Sequence, residues 1–433
     1  MKILFVHPNF PAQFRHIAAA LGKAKDPSHQ VIFLTSTPRK EWTIPGVKKA
    51  VYSPLQDDTP SSIHPLVSHF DARGRAGAAV YSACNTLRKQ GFVPDVIVAH
   101  SGWGSSYFLR DVFPESRLLA FFEWYYNTSG ADVGFDPAEP VSDIMRMTLR
   151  TRNATILNDI AECDWGYAPT LWQARQFPAM ARSKMCVVHD GIDTGYFAPA
   201  ADRKEVAAGL AQELGIDYTP RTRLVTWVGR GMEPYRGFPQ VMEALPAILD
   251  SDPDVHVLMV GEDRVCYGRP PEDGRSWKQV MLEHISPLMS GGEPVERRVH
   301  FTGALPYVSY RRVLQASDAH IYLTRPFVLS WSMLEAMSCG ALMVCSDTAP
   351  VQEVIQNGRN GLLTDFFSPV QLAKNVCEAL ASGREADALR AAARDTVLKS
   401  YDLRKMLSAQ LRIINNLAEG KSAMAGLLPQ IKK

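Results

Sequence analysis

Two arginines lie close together in the chain, directly after an apolar run. Arg230 follows Gly229 at the end of residues 224–228, and Arg236 precedes Gly237. Guanidinium groups bind phosphate oxygens through paired N–H donors, and glycine lets a ligand approach the backbone. We therefore predict that Arg230 and Arg236 bind a diphosphate and act in catalysis by stabilising its charge as it leaves. Two solvated surface charges are the alternative interpretation.

A second stretch predicts a short helix whose amino end faces a ligand. Ser330 and Ser332 are candidate N-caps, and Gly340 is a typical helix stop. The main-chain amides from Ser330 through Trp331 to Ser332 could bind phosphate or sugar. Glu335 lies about one turn into the helix among apolar residues, where an unpaired carboxylate is costly. It should have a fixed partner such as a ribose diol, with a salt bridge or solvent exposure as the alternatives.

Polar residues also follow the apolar runs of the first half. Asn9 and Gln13 follow the first run in a loop without a G-x-G-x-x-G pattern, which argues against a dehydrogenase. His100 and Glu123 each stand directly after a later run. Carboxyl ends of parallel strands meet at one edge of a sheet, so we expect these side chains near each other. A turn explains the two loop residues almost as well, and an ion pair with an arginine of residues 150–152 is the alternative for Glu123.

A polar, basic helix face is predicted at residues 148–153. It could meet a phosphorylated acceptor or simply face solvent. Trp103 and residues 124–126 supply aromatic rings, which suit sugar rings and hydrophobic cores equally well.

These residues need a scaffold in which many parallel strands end at one edge. Short apolar runs alternate with the amphipathic segments 14–21 and 73–89, and this alternation predicts two doubly wound α/β domains. The runs are residues 3–6, 31–34, 96–99, 118–122, 224–228, 255–260, 299–302, 320–323, 342–345 and 361–364. We predict a linker at about 191–220 and a final helix near 403–417, followed by a frayed tail from 420 to 433. The predicted domains are 1–195 and 196–400, with 401–433 as a C-terminal helix and tail.

The composition and net charge of the chain indicate which classes of partner it could bind. The chain has 433 residues, 46% hydrophobic and 21% charged, with a net charge of +2, which does not suit a nucleic-acid partner. The apolar runs are too short to span a membrane, so we expect at most peripheral contact. Seven cysteines without a C-x-x-C pair indicate free thiols, which suits a cytoplasmic protein. Any membrane contact is expected to be peripheral, at the inner membrane face.

The motifs together resemble a known family. V-G-R at 228–230, R-G at 236–237, E-A-M-x-x-G at 335–340 and the segment from His-Asp-Gly-Ile-Asp to Phe at 189–197 are similar to the family 4 glycosyltransferases of the GT-B fold. The resemblance implies two Rossmann-like domains facing across a cleft. It also implies retaining transfer of a sugar from a nucleoside diphosphate sugar, of the UDP or GDP type, to a hydroxyl acceptor such as a glycan, a lipid-linked compound or a small molecule. No metal or other cofactor is implied.

The resemblance also assigns residues. Arg236 takes the place of the usual lysine on the diphosphate, Glu335 would hold the ribose hydroxyls, and the backbone around Leu305 would contact the base. Phe327 stands where the family has a glutamate that contacts the donor sugar. Glu123 is our candidate for a catalytic, sugar-facing carboxylate that compensates for it.

Three alternatives stay open at this point. An epimerase or hydrolase of nucleotide sugars would share the fold, and a non-catalytic nucleotide-sugar-binding protein would explain Phe327. Metal-dependent transfer would need a D-x-D motif, and Asp252-Pro253-Asp254 lies before an apolar run and not after one. We therefore discount metal-dependent transfer.

Overall fold

The computed structural model describes residues 1–24, 28–53 and 63–427. The chain divides into two compact units of α/β structure. The first unit contains Met1–Gly191 and the C-terminal segment that begins at Leu403, and the second contains Ile192–Asp402.

The first unit is built on a seven-stranded parallel sheet of order β3-β2-β1-β4-β5-β6-β7. Its strands are β1 (Lys2–Val6), β2 (Gln30–Thr35), β3 (Val47–Val51), β4 (Val96–His100), β5 (Arg117–Phe121), β6 (Trp165–Ala168) and β7 (Met185–Val187). Its first helices are α1 (Arg15–Gly22), α2 (Pro65–Lys89), α3 (Leu109–Val112), α4 (Asp143–Glu162), α5 (Leu171–Gln176) and α6 (Ala179–Arg182). Because all strands are parallel, their carboxyl ends lie at one edge.

The second unit has a six-stranded parallel sheet of order β10-β9-β8-β11-β12-β13. Its strands are β8 (Arg223–Gly231), β9 (Val255–Glu262), β10 (Val299–Gly303), β11 (Ala319–Tyr322), β12 (Met343–Ser346) and β13 (Leu362–Thr364). Its helices are α7 (Arg203–Leu214), α8 (Phe238–Ser251), α9 (Trp277–Ile285), α10 (Tyr307–Ala316), α11 (Trp331–Ser338), α12 (Ala349–Gln352), α13 (Pro369–Ala381) and α14 (Gly383–Ser400).

Both faces of the first sheet are buried, as the continuous apolar runs predict. Along β1, Leu4 and Val6 belong to one core cluster and Ile3 and Phe5 to another. Successive side chains of a strand point to opposite faces, so each face is covered by its own layer of helices. The predicted doubly wound architecture is therefore confirmed in this unit.

Every strand predicted from an apolar run is present, but three strands are missed. Strand β3 lies at the sheet edge and is only partly buried, so its sequence has no continuous apolar run. Strand β6 contains Gly166, and β7 has only three residues. Strands that are short or polar, at or near either edge of a sheet, lack the long apolar run by which the other strands were predicted.

The predicted linker at 191–220 is wrong over much of its length, because α7 lies within it. The Asp202 side chain accepts hydrogen bonds from the amides of Lys204 and Glu205, which makes it an N-cap. Gly215, with φ of 68°, ends the helix. Leu210 is fully buried. Alanine and glycine dilute the apolar spacing of this helix, which explains the error.

The C-terminal helix α15 (Leu403–Ala418) belongs to the first unit and is not a separate segment. Ile413 and Ile414 are fully buried in the same cluster as Ile3 and Phe5. The predicted fraying of residues 420–433 is wrong for the described part, because the Asn416 side chain donates to the Ala423 and Ala425 carbonyls. Residues 428–433 lie outside the described residues.

The two ends of the second unit meet each other. The Ile192 amide donates to the Tyr401 carbonyl at 2.8 Å, and Ile192 forms a parallel bridge with Asp402. The Thr194 hydroxyl also donates to an Asp402 carboxylate oxygen at 2.6 Å. The unit is therefore closed where the chain enters and leaves it.

Candidate active site

Three residues predicted in the first unit contact one another at the carboxyl edge of its sheet. The Gln13 side-chain amide donates to Glu123 Oε1 at 2.8 Å, and His100 Nε2 lies 3.4 Å from Glu123 Oε2. Of the two arginines considered as alternative partners for Glu123, Arg152 has its guanidinium 4.0 Å from the centre of the Tyr126 ring, and Arg150 is exposed. The structure thus brings Gln13, His100 and Glu123 together.

The contact between His100 and Glu123 fixes which ring atom faces the carboxylate. His100 Nδ1 lies 2.9 Å from the Ser101 carbonyl, which only accepts, so Nδ1 carries hydrogen. Nε2 is therefore the ring atom that faces Glu123.

Two further residues border this group. The exposed Asn9 donates its main-chain amide to His7 Nδ1 at 2.9 Å. The His7 ring lies 4.9 Å from the His100 ring, and burial together with His100 lowers the pKa of His7 well below its usual value. Sequence analysis missed His7, although it directly follows the first strand.

In the second unit, Arg236 and the start of α11 share one partner. Arg236 is buried, and its Nη1 donates to the Tyr322 hydroxyl at 3.2 Å, to Thr324 Oγ1 at 2.8 Å and to the Val328 carbonyl at 3.2 Å. The Ser330 amide donates to the same Tyr322 hydroxyl at 2.9 Å. A guanidinium and the amino end of a helix are therefore fixed beside each other.

The amino end of α11 is formed as the sequence predicts. Ser330 is the N-cap, and its hydroxyl accepts a hydrogen bond from the Ser332 amide at 3.3 Å. Trp331 is 38% exposed. Gly340 follows the helix with φ of 77°, a conformation that favours glycine. Phosphate binding by these amides stays a prediction.

Arg230 lies at the end of β8 and is exposed. The preceding Gly229 is at a close approach of two backbones, because a Cβ atom on Gly261 of β9 would lie only 2.4 Å from the Gly229 carbonyl oxygen. Arg230 is close enough to Glu233 to lower the pKa of that carboxyl, although burial has the larger effect and raises it. Both arginines therefore act electrostatically on one buried carboxylate.

Glu233 was missed by sequence analysis and holds a loop of the site. It is fully buried, and its Oε2 accepts hydrogen bonds from the amides of Cys266 and Tyr267, the latter at 2.8 Å. The Tyr267 ring in turn lies 5.8 Å from the Arg236 guanidinium. Glu233 thus positions the loop that follows β9 against Arg236.

We expect Glu233→Ala to lower the free energy of unfolding by about 2 to 4 kcal/mol, because two loop amides lose their acceptor. Urea denaturation would measure the loss, and hydrogen exchange at Cys266 and Tyr267 would locate it. Glu262→Ala is the control, since its side chain is 48% exposed and pairs only with the exposed Arg264 among the described residues. Equal stability of the two variants would contradict the assignment.

The Glu335 carboxylate has two hydrogen-bond donors within the part of the chain that the structure describes. The Tyr307 hydroxyl donates to its Oε1 at 3.2 Å and the Tyr310 hydroxyl to its Oε2 at 2.5 Å. Burial raises the pKa of Glu335, and the two tyrosine hydrogen bonds oppose that effect. A carboxylate has about four acceptor positions, so ribose hydroxyls could still bind there. That binding stays a prediction.

Phe327 is part of an aromatic cluster. Its ring centre lies 5.5 Å from that of Tyr235 and 5.2 Å from that of Tyr267, both at steep angles. The Arg325 guanidinium lies 5.1 Å from the Tyr235 ring. This position therefore offers apolar ring edges where the resembling family has a carboxylate.

Two remaining predictions concern the contact with the base and metal binding. Leu305 lies between β10 and α10 and packs partly buried against the core around α7. Asp252 and Asp254 precede β9, at the edge opposite the arginines, where Asp252 Oδ1 accepts from the Asp254 amide at 2.8 Å. This D-x-D sequence serves as a turn.

Family models and solved structures agree with this architecture. The model described as glycosyl transferase family 4 group matches residues 27–197, and the model for glycosyl transferases group 1 matches residues 222–382. A glycosyltransferase from Rickettsia africae ESF-5 superimposes with a TM-score of 0.70 over 97% of this chain and 99% of its own, at 17% identity. Alr3699/HepE from Anabaena, solved with UDP and glucose, gives 0.68 over 96% of this chain and 100% of its own, also at 17% identity.

A curated relative matches a smaller part. The D-inositol 3-phosphate glycosyltransferase of Corynebacterium glutamicum (strain R) is 26% identical over 188 residues, which are 43% of this chain and 41% of that protein. This chain therefore spans less than half the length of that relative.

The two parallel-stranded α/β units have the GT-B fold of these glycosyltransferases. The chain contains a glycosyl transferase family 4 group domain and a glycosyl transferases group 1 domain. Among the helices of the described residues, none is both long enough and apolar enough to cross a membrane. All seven cysteines are free thiols, as predicted.

Proposed function

We propose that the chain transfers a sugar from a nucleoside diphosphate sugar, of the UDP or GDP type, to an acceptor hydroxyl with retention of configuration. The observation that carries this proposal is the hydrogen-bonded group of Arg236, the Tyr322 hydroxyl and the Ser330 amide. It fixes a buried cation beside the amino end of α11. Those two kinds of donor suit a diphosphate.

In the proposed reaction, Arg230 and Arg236 stabilise the negative charge that develops on the leaving diphosphate. The amides from Ser330 to Ser332 bind phosphate or sugar, and Glu335 holds the ribose hydroxyls. The backbone at Leu305 contacts the base. The structure of HepE with UDP and glucose supports a donor of this kind, since that protein shares the fold.

The first unit would act on the acceptor and the sugar. Gln13 orients Glu123, and Glu123 with His100 faces the reacting sugar or the acceptor hydroxyl. In a retaining transfer the acceptor attacks from the face that the diphosphate leaves. A donor phosphate oxygen can then take the acceptor proton, so no protein nucleophile is needed.

A thermal-shift screen with UDP, GDP and their sugars tests the donor. A ligand at about a hundredfold excess over its Kd stabilises the folded state by about 2.7 kcal/mol, which corresponds to a rise in Tm of about 5 °C or more in a unit of this size. We expect such a rise with one nucleotide series and none with ATP. No shift with any of these nucleotides would contradict the proposal.

Product analysis separates the rival reactions. Incubation of the stabilising donor without acceptor gives a free sugar from a hydrolase and a changed nucleotide sugar from an epimerase. Transfer requires an acceptor and leaves the donor intact without one. Binding of the donor without turnover in any acceptor mixture would indicate a non-catalytic binding protein.

A further inference from the structure

A second basic group lies in the first unit, apart from Gln13, His100 and Glu123. It consists of His69 and Arg73 on α2 and Arg152 on α4, and we call it the Arg73–Arg152 cluster. His69 Nε2 lies 3.4 Å from Arg73 Nη2. All three side chains are partly buried.

No carboxylate of the described residues neutralises the arginines of this cluster. Within the described residues 1–24, 28–53 and 63–427, neither Arg73 nor Arg152 forms an ion pair with a carboxylate. Burial, and next the charge of Arg152, lower the pKa of Arg73. The two guanidinium charges repel each other, and a bound anion would reduce that repulsion.

The cluster also presents buried donors that lack acceptors. Arg73 Nε, Arg152 Nε and His69 Nδ1 are buried and have no hydrogen-bond partner among the described residues. Burial, Arg73 and Arg152 lower the pKa of His69 to about 4, so the ring is neutral near pH 7. Its Nε2 faces an Arg73 donor and must accept, which leaves the hydrogen on Nδ1. Three buried donors therefore call for an acceptor-rich ligand.

Aromatic rings hold the two arginines in place. The Arg73 guanidinium lies 4.9 Å from the centre of the Trp103 ring, and the Arg152 guanidinium lies 4.0 Å from that of Tyr126. Guanidinium groups over ring faces lose little freedom when they bind an anion, so the cluster is preorganised.

The loop that carries Trp103 is fixed from both sides. Asp159 of α4 accepts hydrogen bonds from the Ser101 hydroxyl at 2.7 Å and the Gly102 amide at 2.9 Å. Gly104, with φ of 76°, packs against α2, where a Cβ atom would lie 2.2 Å from the Arg73 carbonyl oxygen. The loop therefore keeps Trp103 against Arg73.

The cluster lies beside His100 and Glu123 of the candidate site. The Trp103 ring that contacts Arg73 lies 6.1 Å from the His100 ring. Burial raises the pKa of Tyr126, and the hydroxyl also lies within electrostatic reach of Arg152, which lowers that pKa, and of Glu123, which raises it. An anionic group bound at the cluster would place the rest of its molecule beside His100 and Glu123.

We propose that His69, Arg73 and Arg152 bind a phosphate group of the acceptor, so that the enzyme glycosylates a phosphorylated hydroxyl compound. This inference rests on the proposed function, because it assigns the acceptor to the first unit. The sequence predicted a basic helix face at residues 148–153 as a possible contact for a phosphorylated acceptor. The structure places Arg152 of that face in the cluster, together with His69 and Arg73 of α2.

Isothermal titration of the full chain with glycerol 3-phosphate, and with glycerol as the uncharged match, tests the site. Arg73→Gln and Arg152→Gln should each weaken glycerol 3-phosphate binding by about tenfold to a hundredfold, as expected for a lost charge-assisted hydrogen bond. Arg150→Gln is the matched control, since Arg150 is exposed on the same helix. Its affinity should equal that of the wild type.

Three results would overturn the proposal: glycerol 3-phosphate binding no tighter than glycerol, an equal loss in Arg150→Gln, or full affinity in both cluster variants. The two variants lie on different helices, so a folding defect in one leaves the other informative. Nucleotide shifts measured on the wild type report separately on the proposed donor site. Co-sedimentation with phosphatidylcholine vesicles, with and without phosphatidic acid, distinguishes a lipid phosphate from a free one, and either result supports the proposal.

Discussion

Arg230→Ala is expected to lower kcat by about a hundredfold to a thousandfold while leaving the free energy of unfolding unchanged. Removal of one preorganised donor from a developing oxyanion costs about 2.7 to 4 kcal/mol in the transition state. The side chain of Arg230 is exposed and forms no hydrogen bond or ion pair with another described residue, so its removal should cost little stability. Steady-state kinetics and urea denaturation on the same preparation measure both quantities.

Arg221→Ala is the control for this experiment. Arg221 is 83% exposed and precedes β8, at the edge opposite Arg230. Its replacement removes the same charge from the same unit and should leave kcat unchanged. Near-normal turnover of Arg230→Ala would contradict the assignment of Arg230 to the diphosphate.

Arg236 needs a different substitution because it has two functions. Its guanidinium donates to Tyr322, Thr324 and the Val328 carbonyl, so alanine would leave buried acceptors without a donor. Arg236→Lys keeps the charge and loses the planar fork. We expect its kcat to lie between those of the wild type and Arg236→Ala.

The free energy of unfolding is expected to fall steeply as the pH drops from about 6.5 to 4. Burial lowers the pKa of His189 to about 4 and that of His320 to about 3, from a usual value of 6.5. Both are largely neutral in the folded state above pH 4 and become protonated when unfolded. Each therefore costs its own unit about 3 kcal/mol by pH 4, a large share of the stability of a typical domain.

The two histidines lie in different units and are held differently. His189 Nδ1 accepts from the Gly191 amide at 2.9 Å, a bond that protonation of that atom would break. His320 Nδ1 lies 2.7 Å from Thr226 Oγ1 in the second sheet. Acidification thus destabilises both units. The buried carboxyls of Asp159 and Glu335 act in the opposite direction, because burial raises their pKa.

Urea denaturation at pH 7 and pH 5 measures this dependence. His320→Asn keeps a hydrogen-bonding group near Thr226 and should flatten the pH dependence of the second unit. His284→Asn is the control, since its side chain is 55% exposed. An unchanged slope in His320→Asn would show that this histidine does not carry the acid sensitivity.

Sequence patterns predicted the local features of the candidate site. The helix N-cap at Ser330, the end of the strand that carries Arg230 and the positions of His100 and Glu123 at two strand ends follow from short windows of sequence. Within each unit, the meeting of strand ends at one edge follows from the parallel sheet. These features were predictable because each one depends on neighbours in the chain.

The partners of these residues could not be predicted in the same way. Tyr322 lies 86 positions after Arg236 in the chain and joins it to Ser330, and Tyr310 reaches Glu335 from another helix. Nothing in the local sequence distinguishes Glu233 from an ordinary loop carboxylate, because its hydrogen bonds come from the loop after β9. Such contacts arise from the packing of distant segments, which a single sequence does not encode in any local pattern.

The closed ends of the second unit have a consequence for protein engineering. Ile192 is hydrogen-bonded to Tyr401 and bridged to Asp402, so residues 192–402 form an insert whose termini are already adjacent. Domains with adjacent termini tolerate excision and circular permutation. The first unit is discontinuous, because α15 completes its core. Truncation before Leu403 would therefore spare the second unit and unfold the first.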